Sequence, residues 1–325
     1  MRGSFWTSPA LPVASALTLL ATVAPPPASA AQACRLQPVA ELPVTLHGER
    51  RLRPVVAATV NGEPAQFIFD TGAWRTLVMT ASTARLGLAP RPLAAGEQMT
   101  SFGQPVQAQD ATAGRFDLGG RSRAGVALTV VDSDFGPGID GLLGETEYAG
   151  DDVEFDLAEG VIRLFRPTDC PGADRPYWAM PGQAVARVAL EPAAQSSRPF
   201  GWVTVNGVRL RAMFDSGTPT TALTAVAAAR AGVTAQSPGV AMVGESRGVG
   251  PALLRTWVGP FRRLDIGGEA QDDLQLAFID KPNASADLLI GADYFVTHRI
   301  LLLRSQNLLL ATPVGDGRLA AQPPR

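Results

Sequence analysis

Phe69-Asp70-Thr71-Gly72-Ala73 returns 145 residues later as Phe214-Asp215-Ser216-Gly217-Thr218. The same offset pairs Val60-Asn61-Gly62 with Val205-Asn206-Gly207, Thr76 with Thr221, Ala84-Arg85 with Ala229-Arg230, and Gly87 with Gly232. At offset 148, Asp117-Leu118-Gly119-Gly120 meets Asp265-Ile266-Gly267-Gly268 and Val131-Asp132 meets Ile279-Asp280. Leu142-Leu143-Gly144 then meets Leu289-Ile290-Gly291 at offset 147. Chance supplies one such match but not an ordered series separated by single small insertions or deletions. Two copies of about 125 residues read as two similar lobes, not as a solenoid.

Each copy reads as β structure. Val55 to Val60 and Ala65 to Phe69 flank Asn61-Gly62, a hairpin signal because both residue types accept positive φ. Trp202 to Val205 and Arg209 to Phe214 flank Asn206-Gly207 in the same way. Short helices are expected over Ala81 to Leu86 and Ala225 to Ala231, each ended by a glycine, Gly87 and Gly232. Gly119-Gly120 and Gly267-Gly268 mark hairpins before the strands Val126 to Val131 and Leu274 to Ile279. The expected fold class is all-β, mainly β with short helices. The expected organisation is an N-terminal lobe over 31–166, a Pro- and Gly-rich linker over 167–185, a C-terminal lobe over 186–313 and a disordered tail over 314–325.

Of the 325 residues, 46% are hydrophobic and 18% charged, with a formal net charge of −2. No block of like charge is present, so no nucleic-acid partner is expected. Residues 1–30 run from Arg2 through the apolar stretch Ala10 to Val23 to Ala28-Ser29-Ala30, the order of a secretory signal peptide cut after Ala30 or Ala33. The apolar stretch is shorter than the roughly 20 residues that span a bilayer. The expectation is an exported chain of the bacterial periplasm with no membrane span after cleavage. Cys34 stands where a lipidated cysteine would, but Ala31-Gln32-Ala33 lacks the large apolar residue of a lipidation motif. In an oxidising compartment, Cys34 and Cys170 read as one disulfide between the mature N-terminus and the linker; two separate buried thiols are the alternative.

The chemistry lies in the two aspartates. Two carboxylates held close together cannot both ionise easily, so one retains a proton and the other does not. The ionised one then serves as a base for water and the protonated one as an acid, and the pair titrates as a unit. Thr71 and Ser216 supply hydroxyls that can bond across to the opposite loop. Gly72 and Gly217 remove the Cβ where backbone amides approach a carboxylate. Thr218 adds a hydroxyl for the outer oxygen of Asp215, whereas Ala73 offers none to Asp70. Asp215 is therefore expected to be the better-stabilised carboxylate.

The two Asp-hydroxyl-Gly loops, with Leu142-Leu143-Gly144 and Leu289-Ile290-Gly291, resemble the retropepsin/pepsin group of aspartic proteases over about Pro43 to Thr312. The closest likeness is to exported bacterial retropepsin-like proteins with two lobes in one chain. The resemblance implies a bilobal acid-protease β-barrel fold with pseudo-twofold lobes, catalytic Asp70 and Asp215, and the two apolar-apolar-Gly segments supporting the catalytic loops. It implies an aspartic endopeptidase that takes an extended peptide between the lobes and works as a monomer. A non-catalytic exported peptide-binding module that kept the fold is the alternative. The flap of the pepsin side carries a tyrosine, and neither candidate segment here does. Gln98 to Gln107 offers Met99 and Phe102, and Val243 to Pro251 offers three glycines.

Other constellations carry less. His47 and His298 read as a solvated loop residue and a strand-end residue, and the few His and Cys residues have no metal-ligand spacing. No metal or cofactor is expected. Gly244 to Gly250 lacks the Lys-Ser/Thr pair of a phosphate loop and reads as a flexible hairpin. Asp132, Asp134, Asp140, Asp151 and Asp152 read as a solvated acidic loop.

Overall fold

The computed structural model describes residues 36–101, 104–167, 175–192, 198–281 and 285–319, with Met1, Gly3 and Ser4. The expected leader over 1–30, both cysteines of the expected disulfide and the candidate flap residue Phe102 lie outside the described residues.

The repeat folds as two copies of one strand order. In the first lobe, Arg53–Val60 and Glu63–Phe69 pair antiparallel, with Val60 opposite Glu63 across Asn61-Gly62. Both turn residues have positive φ, 54° and 90°. Next to Glu63–Phe69 runs Gly141–Leu143, in parallel, followed by Leu77–Met79, Arg121–Val131 and Ala108–Leu118. Arg53–Val60 also pairs with Ala108–Leu118, which closes the sheet on itself. The second lobe repeats this with Phe200–Val205, Val208–Phe214, Leu288–Ile290, Ala222–Thr224, Glu269–Ile279 and Leu253–Ile266, and the first of these pairs back on the last. Closure removes the open edges that a flat sheet would leave.

A six-stranded sheet joins the lobes. Gln37–His47, Val161–Arg166 and Asp152–Asp156 come from the first half, and His298–Leu303, Leu308–Pro313 and Ala186–Ala189 from the second. Its central pair sets Val153 opposite Leu302, Glu154 opposite Leu301 and Phe155 opposite Ile300, so the local twofold passes between these strands. On this sheet Arg163 and Arg299, one from each half, both donate to the buried Glu154, at 2.7 and 2.6 Å. Tyr177 donates to its second oxygen at 2.6 Å, and Trp178 donates to Thr312 at 2.9 Å, which ties the described end of the linker to the sheet.

Apolar residues of both halves form one core. Phe69 stacks on Tyr148, meets Phe155 edge-on, and Phe155 meets Phe295, so an aromatic row runs from the first Asp loop to the second half. These contacts bury large apolar surfaces at the junction of the halves.

Three local readings need correction. Ala225–Arg230 is helical, with Thr224 Oγ1 capping the Ala227 amide at 3.1 Å. Its first-lobe counterpart is only a single 3-10 turn over Thr80–Ser82 and further turns. There Thr83 donates to the Thr80 carbonyl and Ser82 is drawn to Asp140, and such bonds compete with a helical ladder. A second helix, Ala292–Thr297, was not foreseen. Finally, the chain does not leave the lobe at Val314: Leu319 is buried in the core and its amide donates to Gln271 at 3.0 Å.

Candidate active site

Each aspartate follows a strand locked against the apolar-apolar-Gly segment. The Asp70 amide donates to the Leu143 carbonyl at 3.0 Å, and the Asp215 amide donates to that of Ile290 at 2.8 Å. Gly144 and Gly291 stand where the backbone of the neighbouring loop passes. A Cβ on Gly144 would overlap the Arg75 carbonyl, and one on Gly291 would lie 2.5 Å from the Thr220 carbonyl carbon. Their amides donate to Thr76 and Thr221 hydroxyls, at 3.1 and 3.0 Å. Leu142 and Leu289 face away from their lobe cores, while Leu143 and Ile290 enter the core.

The two loops interlock. Thr71 Oγ1 donates to the Phe214 carbonyl and Ser216 Oγ to the Phe69 carbonyl, both at 2.6 Å. In return the Thr71 amide donates to Ser216 Oγ at 3.1 Å and the Ser216 amide to Thr71 Oγ1 at 3.0 Å. Every polar atom of the two buried hydroxyls is thereby used. The glycines make the approach possible: a Cβ on Gly72 would lie 2.5 Å from Cγ of Asp215, and one on Gly217 would overlap Cγ of Asp70.

The carboxylates are held differently. Asp70 Oδ1 accepts from the Gly72 and Ala73 amides at 2.8 and 3.0 Å. Asp215 Oδ1 accepts from Gly217 and Thr218 at 3.0 and 3.1 Å, and its Oδ2 accepts from Thr218 Oγ1 at 2.9 Å. Burial raises the Asp70 pKa well above the ordinary carboxyl value; the charge of Asp215 and a hydrogen bond with it raise it further, against the two amides. Asp70, the side without a loop hydroxyl, is thus a carboxyl whose charged form its surroundings disfavour. Both aspartates are only 7% exposed.

Thus Asp70, Thr71, Gly72 and Ala73 meet Asp215, Ser216, Gly217 and Thr218 at one point, over the two apolar-apolar-Gly segments. Two carboxylates below the loops escaped the sequence reading. Glu147 accepts from Thr76 Oγ1 at 3.1 Å, and Asp293 accepts from Thr221 Oγ1 at 2.7 Å. The repeated Thr76 and Thr221 were the available signal. Asp140, read as part of a solvated acidic loop, is buried and accepts from the Gln66 amide at 2.9 Å. Among the described residues, no three His, Cys, Asp or Glu side chains gather as a metal set.

Both flap candidates form hairpins, and they touch. Met99–Ser101 pairs with Gln104–Val106, and Ala241–Arg247 pairs with Leu253–Ile266. The tip of the second-lobe hairpin crosses to the first lobe. The Val249 amide donates to Ser101 Oγ at 3.1 Å, and the Gly250 amide donates to Ser133 Oγ at 2.9 Å. Val249 and Met99 pack on the patch formed by Val55, Ile68, Leu77 and Leu142. Gly250 has φ of 92° and a Cβ there would lie 3.1 Å from Val106, so only glycine suits this crossing.

A family described as Aspartyl protease matches residues 56–146 and 202–294, once on each lobe and together over more than half of the chain. The chain belongs to this family, as a two-lobed, retropepsin-like member. Comparison with curated proteins gave no match.

Proposed function

We propose that the chain is an aspartic endopeptidase that acts as a monomer on an extended peptide lying between the lobes. The observation that carries this reading is the interlock: each loop glycine abuts the opposite aspartate, so one chain supplies both halves of a shared-proton pair. A binding module has no use for that arrangement.

In this reading Asp215, ionised and held by three donors, takes a proton from a water molecule as its oxygen attacks the peptide carbonyl carbon. Asp70 gives its proton to the carbonyl oxygen. The resulting gem-diol collapses as the C–N bond breaks: Asp215 passes its proton to the leaving nitrogen, and Asp70 recovers a proton from the diol. General acid–base steps of this kind contribute about 10²–10⁴-fold each. Activity requires Asp70 to be protonated, so it falls as pH rises through the raised Asp70 pKa. Export through the leader over 1–30 and a Cys34–Cys170 disulfide accompany this reading.

The test is cleavage of a mixed peptide library by the purified chain and by Asp70→Asn and Asp215→Asn, with folding checked by circular dichroism. Each variant is expected to lose about 10³-fold or more in kcat/KM. Full activity in either, or a wild type that binds peptides and cleaves none, would defeat the reading.

A further inference from the structure

One aromatic ring stands open beside the dyad. Trp74 follows Ala73 in the first Asp loop and is 53% exposed, although that loop is closely packed on its other side. There the Ala73 carbonyl accepts from the Glu145 amide at 2.8 Å, and the Arg75 carbonyl lies against Gly144. The underside of the loop is closed, and the Trp74 ring is turned out from it. Trp74 is also near the reacting groups along the chain. A Cβ on Gly72 would lie 2.5 Å from Cγ of Asp215. Two Cα–Cα steps further on, the Trp74 Cα is at most about 7.6 Å from that of Gly72.

The ring is held from one face. The Arg75 guanidinium lies over it, 4.3 Å from the ring centroid, and Arg75 pairs with Asp110 at 3.6 Å. Asp110 belongs to the strand Ala108–Leu118, which follows the hairpin strand Gln104–Val106 almost directly. The stack of ring, guanidinium and carboxylate therefore bridges the Asp70 loop and the base of the first-lobe hairpin. None of its three members recurs in the second lobe. Pro219, Thr220 and Val258 stand for Trp74, Arg75 and Asp110, and Val258 opposite Ala277 repeats the register of Asp110 opposite Thr129. A cation already on one face of the ring weakens its attraction for a second, so the open part of the ring suits an uncharged, flat partner.

Building on the endopeptidase reading, we propose that Trp74 is a specificity-determining platform on which an aromatic side chain of the substrate stacks, two or three residues from the scissile bond and on one side of it only. The distance along the substrate follows from the distance along the loop: an extended peptide advances about 3.3 Å per residue, so the span from Gly72 to Trp74 equals about two residues. The one-sidedness follows from the repeat, because Pro219 offers no aromatic face at the related place. The platform binds with little ordering cost, since Arg75 and Asp110 already hold the ring. The cleft thereby reads a peptide in one direction.

The experiment uses peptides with the two residues flanking the scissile bond held constant and Phe exchanged for Ala at the second or third residue on either side. The readout is the Phe-to-Ala ratio of kcat/KM at each position, which cancels any general loss in a variant. Wild type is expected to favour Phe about tenfold or more at one of these positions, and to show no preference at the matching position across the bond. Trp74→Ala, a change at an exposed side chain, should bring that ratio to about one while the Ala peptides are cleaved as before. Trp74→Phe, which keeps an aromatic face, should retain most of the preference. A wild-type ratio near one at all positions, an equal preference on both sides, or a preference that survives in Trp74→Ala overturns the inference while leaving the endopeptidase reading intact. A wild type that cleaves none of the peptides overturns both.

Discussion

Below the first Asp loop, Glu147 accepts from Thr76 and Thr146 hydroxyls and is paired with Arg123 at 3.0 Å. Below the second, Asp293 fills the same slot, but its hydrogen bonds come from neutral donors: the Thr221 hydroxyl and amide and the Tyr294 amide. Both carboxylates are almost wholly buried, at 3% and 1% exposure. One copy meets the cost of burial with a cation, and the other meets it in part with a retained proton. Burial raises the Asp293 pKa to about 6 against the three hydrogen bonds. Duplication has let each lobe solve one packing problem in its own way, while the interlock between the loops has kept its symmetry.

That symmetry predicts the largest effect. Ser216→Ala removes the donor to the Phe69 carbonyl and the acceptor for the Thr71 amide, and Thr71→Ala does the mirror-image damage. Each leaves two buried backbone groups unpaired, at about 1–3 kcal/mol per group. Urea unfolding should show a loss of about 2–6 kcal/mol for both variants, equal within about 1 kcal/mol. A variant that unfolds like wild type would show that the interlock does not hold the lobes' loops together.

The next effect separates the lobes. Asp293 has a folded-state pKa of about 6, above its ordinary 3.8, so folding binds a proton between those values. Its contribution to stability is full below about pH 4 and declines as pH rises through about 6, by about 3 kcal/mol in all. The unfolding free energy of wild type minus that of Asp293→Asn should therefore fall by up to about 3 kcal/mol between pH 4 and pH 7. A difference that stays flat, or rises, would place the proton elsewhere.

Much of this was legible in the sequence because it was written twice. Asp70 and Asp215, their hydroxyl and glycine neighbours, and the Leu142-Leu143-Gly144 and Leu289-Ile290-Gly291 supports all fall on repeat positions. Arg85 and Arg230 also recur, and each pairs with a carboxylate, Asp140 and Asp287. What the sequence hid was what the lobes do not share. Glu147 and Asp293 lie at different spacings from their glycines and differ in length, so no alignment of the copies pairs them. The single turn at Thr80–Ser82 was hidden because side-chain hydrogen bonds, not propensity, decide it. The crossing of Val249 and Gly250 to the other lobe depends on contacts between residues more than a hundred positions apart, which local patterns do not carry.

A smaller effect concerns the dyad itself. Ala73→Thr would give Asp70 the loop hydroxyl that Thr218 gives Asp215. A hydroxyl bonded to the ionised form favours that form, so the raised Asp70 pKa should drop. The alkaline limb of the kcat/KM profile is expected to move down by about one pH unit, which corresponds to about 1.4 kcal/mol. Thr218→Ala, which removes the existing bond, should lower kcat without moving that limb downward. A limb that moves up in Ala73→Thr would assign the shared proton to the other aspartate.

The smallest effect lies where the hairpin crosses. Ser133 and Ser101 hold two successive amides of the second-lobe tip, and Val249 rests on the first lobe's apolar patch. Removing one hydroxyl from a partly buried pair costs about 1 kcal/mol, since water can replace it in part. Ser133→Ala should leave global stability within that margin yet open the tip locally. Hydrogen exchange at Val249 and Gly250 should accelerate about fivefold, with core amides such as Phe214 unchanged. Ser101→Ala should do the same to a similar degree, and the double variant should approach the product of the two. Tip amides that exchange at the wild-type rate in the double variant would mean that Val249 alone secures the crossing. Val249→Ser would then be the substitution that frees it.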